Sequence, residues 1–145
     1  MNIEVNTDPP KRDSDILSKG ITDFNKSEIP DLEPNEAEVK FFVFAKDEAD
    51  TVVGGIRATC FWNTLHIELL WLSEESRGTG IGKQLIDSAE SFAVKQDCEK
   101  AFVETTSWQA RPFYERNGYE HIATLPDRPK GHASYYLTKN LVLAL

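Results

Sequence analysis

The sequence has 145 residues, with 16 Lys plus Arg against 24 Asp plus Glu, a formal charge of −8 and a pI near 4.9. That length makes one domain with a sizeable core and excludes two ordinary ones. The acidic balance argues against nucleic acid as main partner, because phosphate binding rests on clustered Lys and Arg; a cationic or neutral partner suits it better. Hydrophobic residues at 40% and charged residues at 28% fit a folded globular domain rather than a disordered tail. No apolar run approaches a membrane span, so no membrane partner is expected. Residues 1–11 carry acids and no apolar core, unlike a signal or transit peptide, and the expected location is cytoplasmic. Cys60 and Cys98 supply neither a disulfide framework nor a zinc-ligand spacing; they read as small buried apolar residues, and no metal is expected.

In chain order, residues 2–6 alternate and predict a short first strand, ended by Thr7-Asp8-Pro9-Pro10. A helix follows from about Asp13, capped by Asp13 or Ser14, with Ile16, Leu17, Ile21 and Phe24 on one stripe and Gly20 as a weak point. Residues 28–36 are acidic, hold two prolines and read as a loop. Residues 39–46 and 51–62 are strands joined by a polar turn into an antiparallel hairpin. Gly54-Gly55 predicts a bulge or a close approach there. After a turn at Asn63-Thr64, residues 65–72 are nearly continuously apolar, as in a strand covered on both faces.

The pattern then changes. Residues 73–77 are a polar loop, residues 78–82 are glycine-rich, and residues 83–96 carry Leu85, Ile86, Ala89, Phe92 and Ala93 on one helical face. Residues 100–106 form a strand again, so this stretch is a βαβ unit with parallel strands and a right-handed crossover. Residues 109–117 make a short helix ended by Gly118, and residues 119–125 and 134–140 are two last strands around a Pro/Gly loop at 126–133. With no internal repeat or low-complexity segment, residues 1–145 read as one domain.

Arg77-Gly78-Thr79-Gly80-Ile81-Gly82-Lys83 is the most informative stretch. Between a buried strand and an amphipathic helix, the first helical N–H groups have no internal partner and the dipole adds positive charge. Glycines there remove the Cβ atoms that would block a ligand, which makes a cradle for a phosphate or pyrophosphate; the plainer reading is a tight strand-to-helix turn. A Walker A loop is excluded twice: only three residues separate Gly78 from Gly82, and Gln84 follows Lys83. The dinucleotide fingerprint needs another spacing and an earlier strand.

Arg77-x-x-Gly80-x-Gly82 resembles the acyl-CoA pyrophosphate loop of the GNAT N-acetyltransferase superfamily. Downstream, Ala110-Arg-Pro-Phe113-Tyr114-Glu-Arg-Asn-Gly118-Tyr119 is similar to that family's later helix. The whole chain, including Pro129-Lys-Gly-His132 and Leu137-Thr-Lys139-Asn-Leu141, resembles a bacterial GNAT subgroup of unassigned substrate. The resemblance implies an α/β fold: a mixed, mostly antiparallel twisted sheet with a central βαβ unit and flanking helices. It implies acetyl-CoA as donor, with backbone amides of Gly78, Thr79, Gly80, Ile81, Gly82 and Lys83 on the pyrophosphate. Main-chain groups near Leu70 and Leu72 would take the pantetheine arm in a splay between strands 65–72 and 100–106. Where the family often has Asn, this chain has Ser107, which either contacts that arm or caps the following helix. Pro112 requires that helix to begin near residues 107–109. A homodimer is compatible with the resemblance.

Acetyl transfer to an amine needs the ammonium deprotonated, the thioester polarised and the thiolate protonated. With no cysteine motif for a covalent intermediate, direct attack in a ternary complex is the simpler scheme. Tyr114 is the candidate general acid, its alternative being a packed core tyrosine tied to backbone. Glu68 is the candidate base, because burial in an apolar strand would raise its pKa; the alternatives are a solvent-facing bulge position or an ammonium anchor. Glu104 is a second such carboxylate, with a substrate or catalytic role. His132, on the late loop, is placed near the acceptor, whereas His66, Trp62 and Trp108 read as core or rim. The acceptor is a small amine or a polypeptide amine. The rival reading is a non-catalytic acyl-CoA-binding sensor or interaction module.

Overall fold

The structure, a computed structural model that describes residues 1–142, divides the chain into two units after Pro34. In the first, the helix α1 spans Lys11–Glu28 and starts two residues earlier than predicted. Asp13 and Ser14 lie inside it rather than capping it. The Pro10 carbonyl accepts from the Asp13 and Ser14 N–H groups at 3.0 and 3.3 Å, so proline seeds the first turn. Gly20 leaves the helix unbroken, and i,i+4 pairs of Lys11 with Asp15 and Lys19 with Asp23 support its polar side. The predicted apolar stripe is present, and all four of its members are exposed. The expected strand at residues 2–6 is not formed: no described strand pairs with it, and an unpaired strand has no ladder to hold its backbone.

In the second unit a 3₁₀ turn at Asn35–Ala37 precedes β1 (Val39–Lys46), β2 (Val52–Phe61) and β3 (Thr64–Leu72). α2 (Ile81–Lys95), β4 (Lys100–Thr106), α3 (Arg111–Arg116), β5 (Glu120–Pro126) and β6 (Ala133–Asn140) follow. The sheet order is β1-β2-β3-β4-β6-β5, antiparallel throughout except for the parallel pair β3/β4. The fold is therefore the predicted mixed, mostly antiparallel sheet around a βαβ unit. Leu85, Ile86, Ala89 and Ala93 of α2 join Ile56, Ala58, Leu65, Ile67, Val103 and Leu137 of the sheet in one buried core. Each large aliphatic side chain there contributes about 1.5–3 kcal/mol. Cys60 and Cys98 are buried.

Two irregularities shape the site. β3 carries one extra residue against β2: Arg57 faces Leu69 and Ala58 faces Ile67, leaving Glu68 as a bulge. Glu68 and Leu69 are consequently both exposed, and the inward register resumes at Leu70 and Leu72. Thus residues 65–72 are not covered on both faces as predicted, and Leu69 and Trp71 are 45% and 52% exposed. The second irregularity is that the β3–β4 ladder stops at Ile67–Val103. At Gly54-Gly55 both expectations hold: the β1–β2 register slips beside Gly54, and a Cβ on Gly55 would lie 2.7 Å from the Val43 carbonyl.

Candidate active site

Where β3 and β4 part, a cleft of about 740 Å³ opens. Glu68, Leu70 and Leu72 line it from β3, Glu104 and Thr105 from β4, Arg77 and Gly78 from the loop, and Phe113 and Tyr114 from α3. The main chain of β3 past Ile67 has no ladder partner on its β4 side among the described residues. An extended amide-bearing ligand can take those bonds as an added strand would.

The glycine loop runs from one end of this cleft into the start of α2. Gly80 stands just before the helix at φ +84°, a left-handed conformation that a Cβ makes costly. Gly82 serves a different need: a Cβ there would lie 2.9 Å from Phe113 Cε1, so only glycine lets α3 sit against the α2 N-terminus. The first helical backbone bond is from Gln84 N–H to the Gly80 carbonyl. The N–H groups of Ile81, Gly82 and Lys83 therefore lie ahead of the intrahelical ladder and point out as a set. Arg77 Nε donates to the Leu72 carbonyl at 3.3 Å, fastening the loop to the strand end. Lys83 pairs with Asp87 at 2.7 Å, so its charge is shared along the helix. This cradle fits a pyrophosphate by backbone donors more than by side-chain charge.

Tyr114 is 4% exposed and lines the cleft. Its hydroxyl has no hydrogen-bond partner among the described residues, so it is not tied to backbone as a core tyrosine would be. Burial pushes its pKa up to about 12, and the phenol stays protonated across the working range. Its ring meets Phe113 and Tyr119 edge-on at 5.4 and 5.6 Å. Behind it, Tyr119 donates to Glu90 at 2.8 Å and Lys139 pairs with Glu90 at 2.7 Å, bracing α2 against β6.

Glu68 takes the solvent-facing bulge position, the alternative to the buried carboxylate. Its carboxylate is not buried; the bulge turns it outward, and Arg57 Nε donates to it at 2.9 Å. Glu104, the next residue past the last β3–β4 rung on β4, accepts from Arg128 of the β5–β6 connection. A hydrogen bond from Tyr136 and the Arg128 guanidinium hold its carboxyl below the usual range, against a smaller effect of burial.

Ser107 does not cap α3. That helix begins at Arg111, later than the predicted 107–109, with Ala110 before it and Pro112 in its first turn. Gln109 and Thr105 satisfy this corner instead: Gln109 Oε1 accepts from Thr106 N–H and Thr105 Oγ1 accepts from Ala110 N–H. Ser107 Oγ lies 3.4 Å from His132 Nδ1 and from Ala133 N, so it faces the late loop rather than the cleft. His132 likewise sits outside the lining, edge-on to Trp108 at 4.9 Å, and Trp108 lines the cleft. His66 packs on Phe102 and Trp62 stacks on Phe61, both away from the cleft.

The sequence did not point to Arg57, Trp71 or Arg128. Arg57 and Glu68 are opposite charges on paired strands, a signal blurred by the bulge. Arg128 and Glu104 meet only because β6 lies between β4 and β5.

The chain matches the model of the acetyltransferase (GNAT) family over residues 11–119. It is 38% identical to the blasticidin-S acetyltransferase of Streptomyces morookaense over 113 residues, covering 77% of this chain and 82% of that one. Its fold is similar to that of a Bacillus cereus acetyltransferase, with a TM-score of 0.80, 25% identity, and 94% and 97% of the two chains covered. The PaiA N-acetyltransferase of Thermoplasma acidophilum, solved in complex with coenzyme A, shares the fold at TM-score 0.61 and 21% identity, covering 70% and 60%.

Proposed function

The chain belongs to the GNAT acetyltransferase family, and from that premise we propose that it moves the acetyl group of acetyl-CoA to a primary amine by direct attack in a ternary complex. The observation that carries this is Tyr114: a buried phenol with an unengaged hydroxyl, in the same cleft as the glycine loop and two carboxylates. Residues 1–145 act in this reading as one acyltransferase domain.

The donor supplies an activated thioester. Backbone N–H groups from Gly78 to Lys83 would hold its pyrophosphate, and the unladdered main chain of Leu70 and Leu72 its pantetheine arm; the coenzyme A complex of a protein of this fold supports that use. Glu68 takes the proton from the acceptor ammonium, directly or through water. Its carboxylate is open to solvent and already pairs with Arg57, which favours the relay through water. As the nitrogen–carbon bond forms and the carbon–sulfur bond breaks, Tyr114 gives its proton to the departing sulfur. A phenol raised by burial is protonated beforehand and suits that step. His132, edge-on to Trp108 and 3.4 Å from Ser107 Oγ, acts on the acceptor through that ring. The relative that acts on blasticidin S supports a small amine-bearing acceptor over a polypeptide amine.

A thermal-shift titration with acetyl-CoA, CoA, ATP and NAD tests the donor, because a ligand of the native state raises the melting temperature. CoA species alone should shift it. Free-thiol release with blasticidin S and simple primary amines, and mass detection of the acetylated product, then test transfer. A shift with ATP or NAD only would refute the donor assignment. A CoA shift with no acetylated amine would favour the acyl-CoA-binding module instead.

A further inference from the structure

Glu68 and Glu104 are the first residues beyond the last β3–β4 rung, one on each side of the fork, and both line the cleft. Their settings differ. Glu68 sits on a bulge with one partner, Arg57. Glu104 is held by a small network: Arg128 Nη1 donates to its Oε1 and reaches Ser134 Oγ at 3.3 Å and Tyr136 OH at 3.4 Å. Ser134 Oγ in turn donates to the Arg128 carbonyl at 2.9 Å, fixing that residue's backbone as well as its head.

A carboxylate held ionised in this way makes a poor base, since a useful base has a pKa near the working pH. It makes a good anchor for a cation. The reacting nitrogen cannot be the group anchored, because it must lose its proton and its charge in order to attack. A carboxylate accepts about four hydrogen bonds, and Arg128 and Tyr136 together take two of them, so this cleft-lining residue keeps acceptor capacity. Trp71 and Trp108, about half exposed and on the same lining, add aromatic faces of the kind a cation favours.

Resting on the N-acetyltransfer reading above, we infer that Glu104 is a specificity residue that holds a second group of the acceptor, cationic at the working pH, while the reacting amine lies at Glu68. Neighbouring strands are about 4.8 Å apart and these two are diverging. The two nitrogens are thus separated by a short spacer, and the preferred acceptors are compact diamines or amines bearing a guanidinium. Arg128 is the positioning residue that fixes the Glu104 carboxylate.

The test compares 1,4-diaminobutane with n-butylamine as acceptors, with acetyl-CoA as donor, in wild type and Glu104→Gln. Wild type should prefer the diamine in kcat/KM by roughly tenfold or more, the factor expected of one charge-assisted hydrogen bond. Glu104→Gln should lose that preference through the KM for the diamine, with its KM for acetyl-CoA retained. The proposal is overturned if wild type shows no preference, whether or not the variant folds. It is overturned equally if Glu104→Gln keeps the preference or loses both amines in proportion. Calorimetric binding of 1,4-diaminobutane to the protein–CoA complex separates this from the parent reading. Binding weakened roughly tenfold by Glu104→Gln without any turnover would refute transfer and support the subsite; equal binding by both proteins would refute the subsite.

Discussion

Tyr114→Phe separates chemistry from packing, because the two readings of this residue move stability and activity in different directions. The side chain is 4% exposed and its hydroxyl has no partner among the described residues, so phenylalanine fills the same space and breaks no hydrogen bond. Removing an unengaged hydroxyl from a largely apolar setting recovers roughly 0.5–2 kcal/mol of desolvation. At about 2–4 °C per kcal/mol for a chain of this size, the melting temperature should hold or rise by up to roughly 8 °C. Loss of a positioned proton donor should lower kcat by about 10²–10⁴-fold. The assay is free-thiol release at saturating acetyl-CoA, with a calorimetric melt on the same preparation and a CoA titration to show that the donor site is intact. A variant that melts lower and retains kcat would mean that the hydroxyl is structural, and would refute the assignment of Tyr114 as the acid.

Two further outcomes follow from the same region. An unfolded tyrosine ionises near pH 10, whereas burial raises native Tyr114 to about 12 and raises Tyr119 still further, helped by its bond to Glu90. The unfolded state then binds fewer protons, so stability is full below pH 10. It falls by roughly 1.4 kcal/mol per pH unit for each such group as the pH rises toward 12. Urea melts from pH 9 to 12 should show this slope, and Tyr114→Phe should make it shallower; an unchanged slope would contradict the burial argument. At the glycine loop, Gly82→Ala puts a methyl 2.9 Å from the Phe113 ring and should cost about 1–3 kcal/mol. Gly80→Ala meets no atom within 4 Å, and its strain lies in φ +84°, about 1–2 kcal/mol. Both should weaken acetyl-CoA binding in calorimetry. Gly82→Ala alone should also lower kcat, because Phe113 adjoins Tyr114; equal kcat for the two variants would remove that coupling.

What the sequence determined was whatever depends on neighbours along the chain. Periodicity placed the βαβ unit and the face of α2 that carries Leu85, Ile86 and Ala89, and the glycines of Arg77–Lys83 located the loop that leads into α2. The same local reasoning erred at residues 2–6, since alternation describes a strand but cannot provide its partner. It could not choose between a buried and a bulged Glu68, because an apolar run does not reveal an extra residue against β2. Only the tertiary structure brought Arg57 to Glu68 and Arg128 to Glu104, ended the β3–β4 ladder at Ile67–Val103, and left the Tyr114 hydroxyl open to the cleft. The physical reason is that register and strand order are settled by the whole sheet at once. A side chain's charge is written in the sequence, but the partner that tunes it comes from a strand far away along the chain.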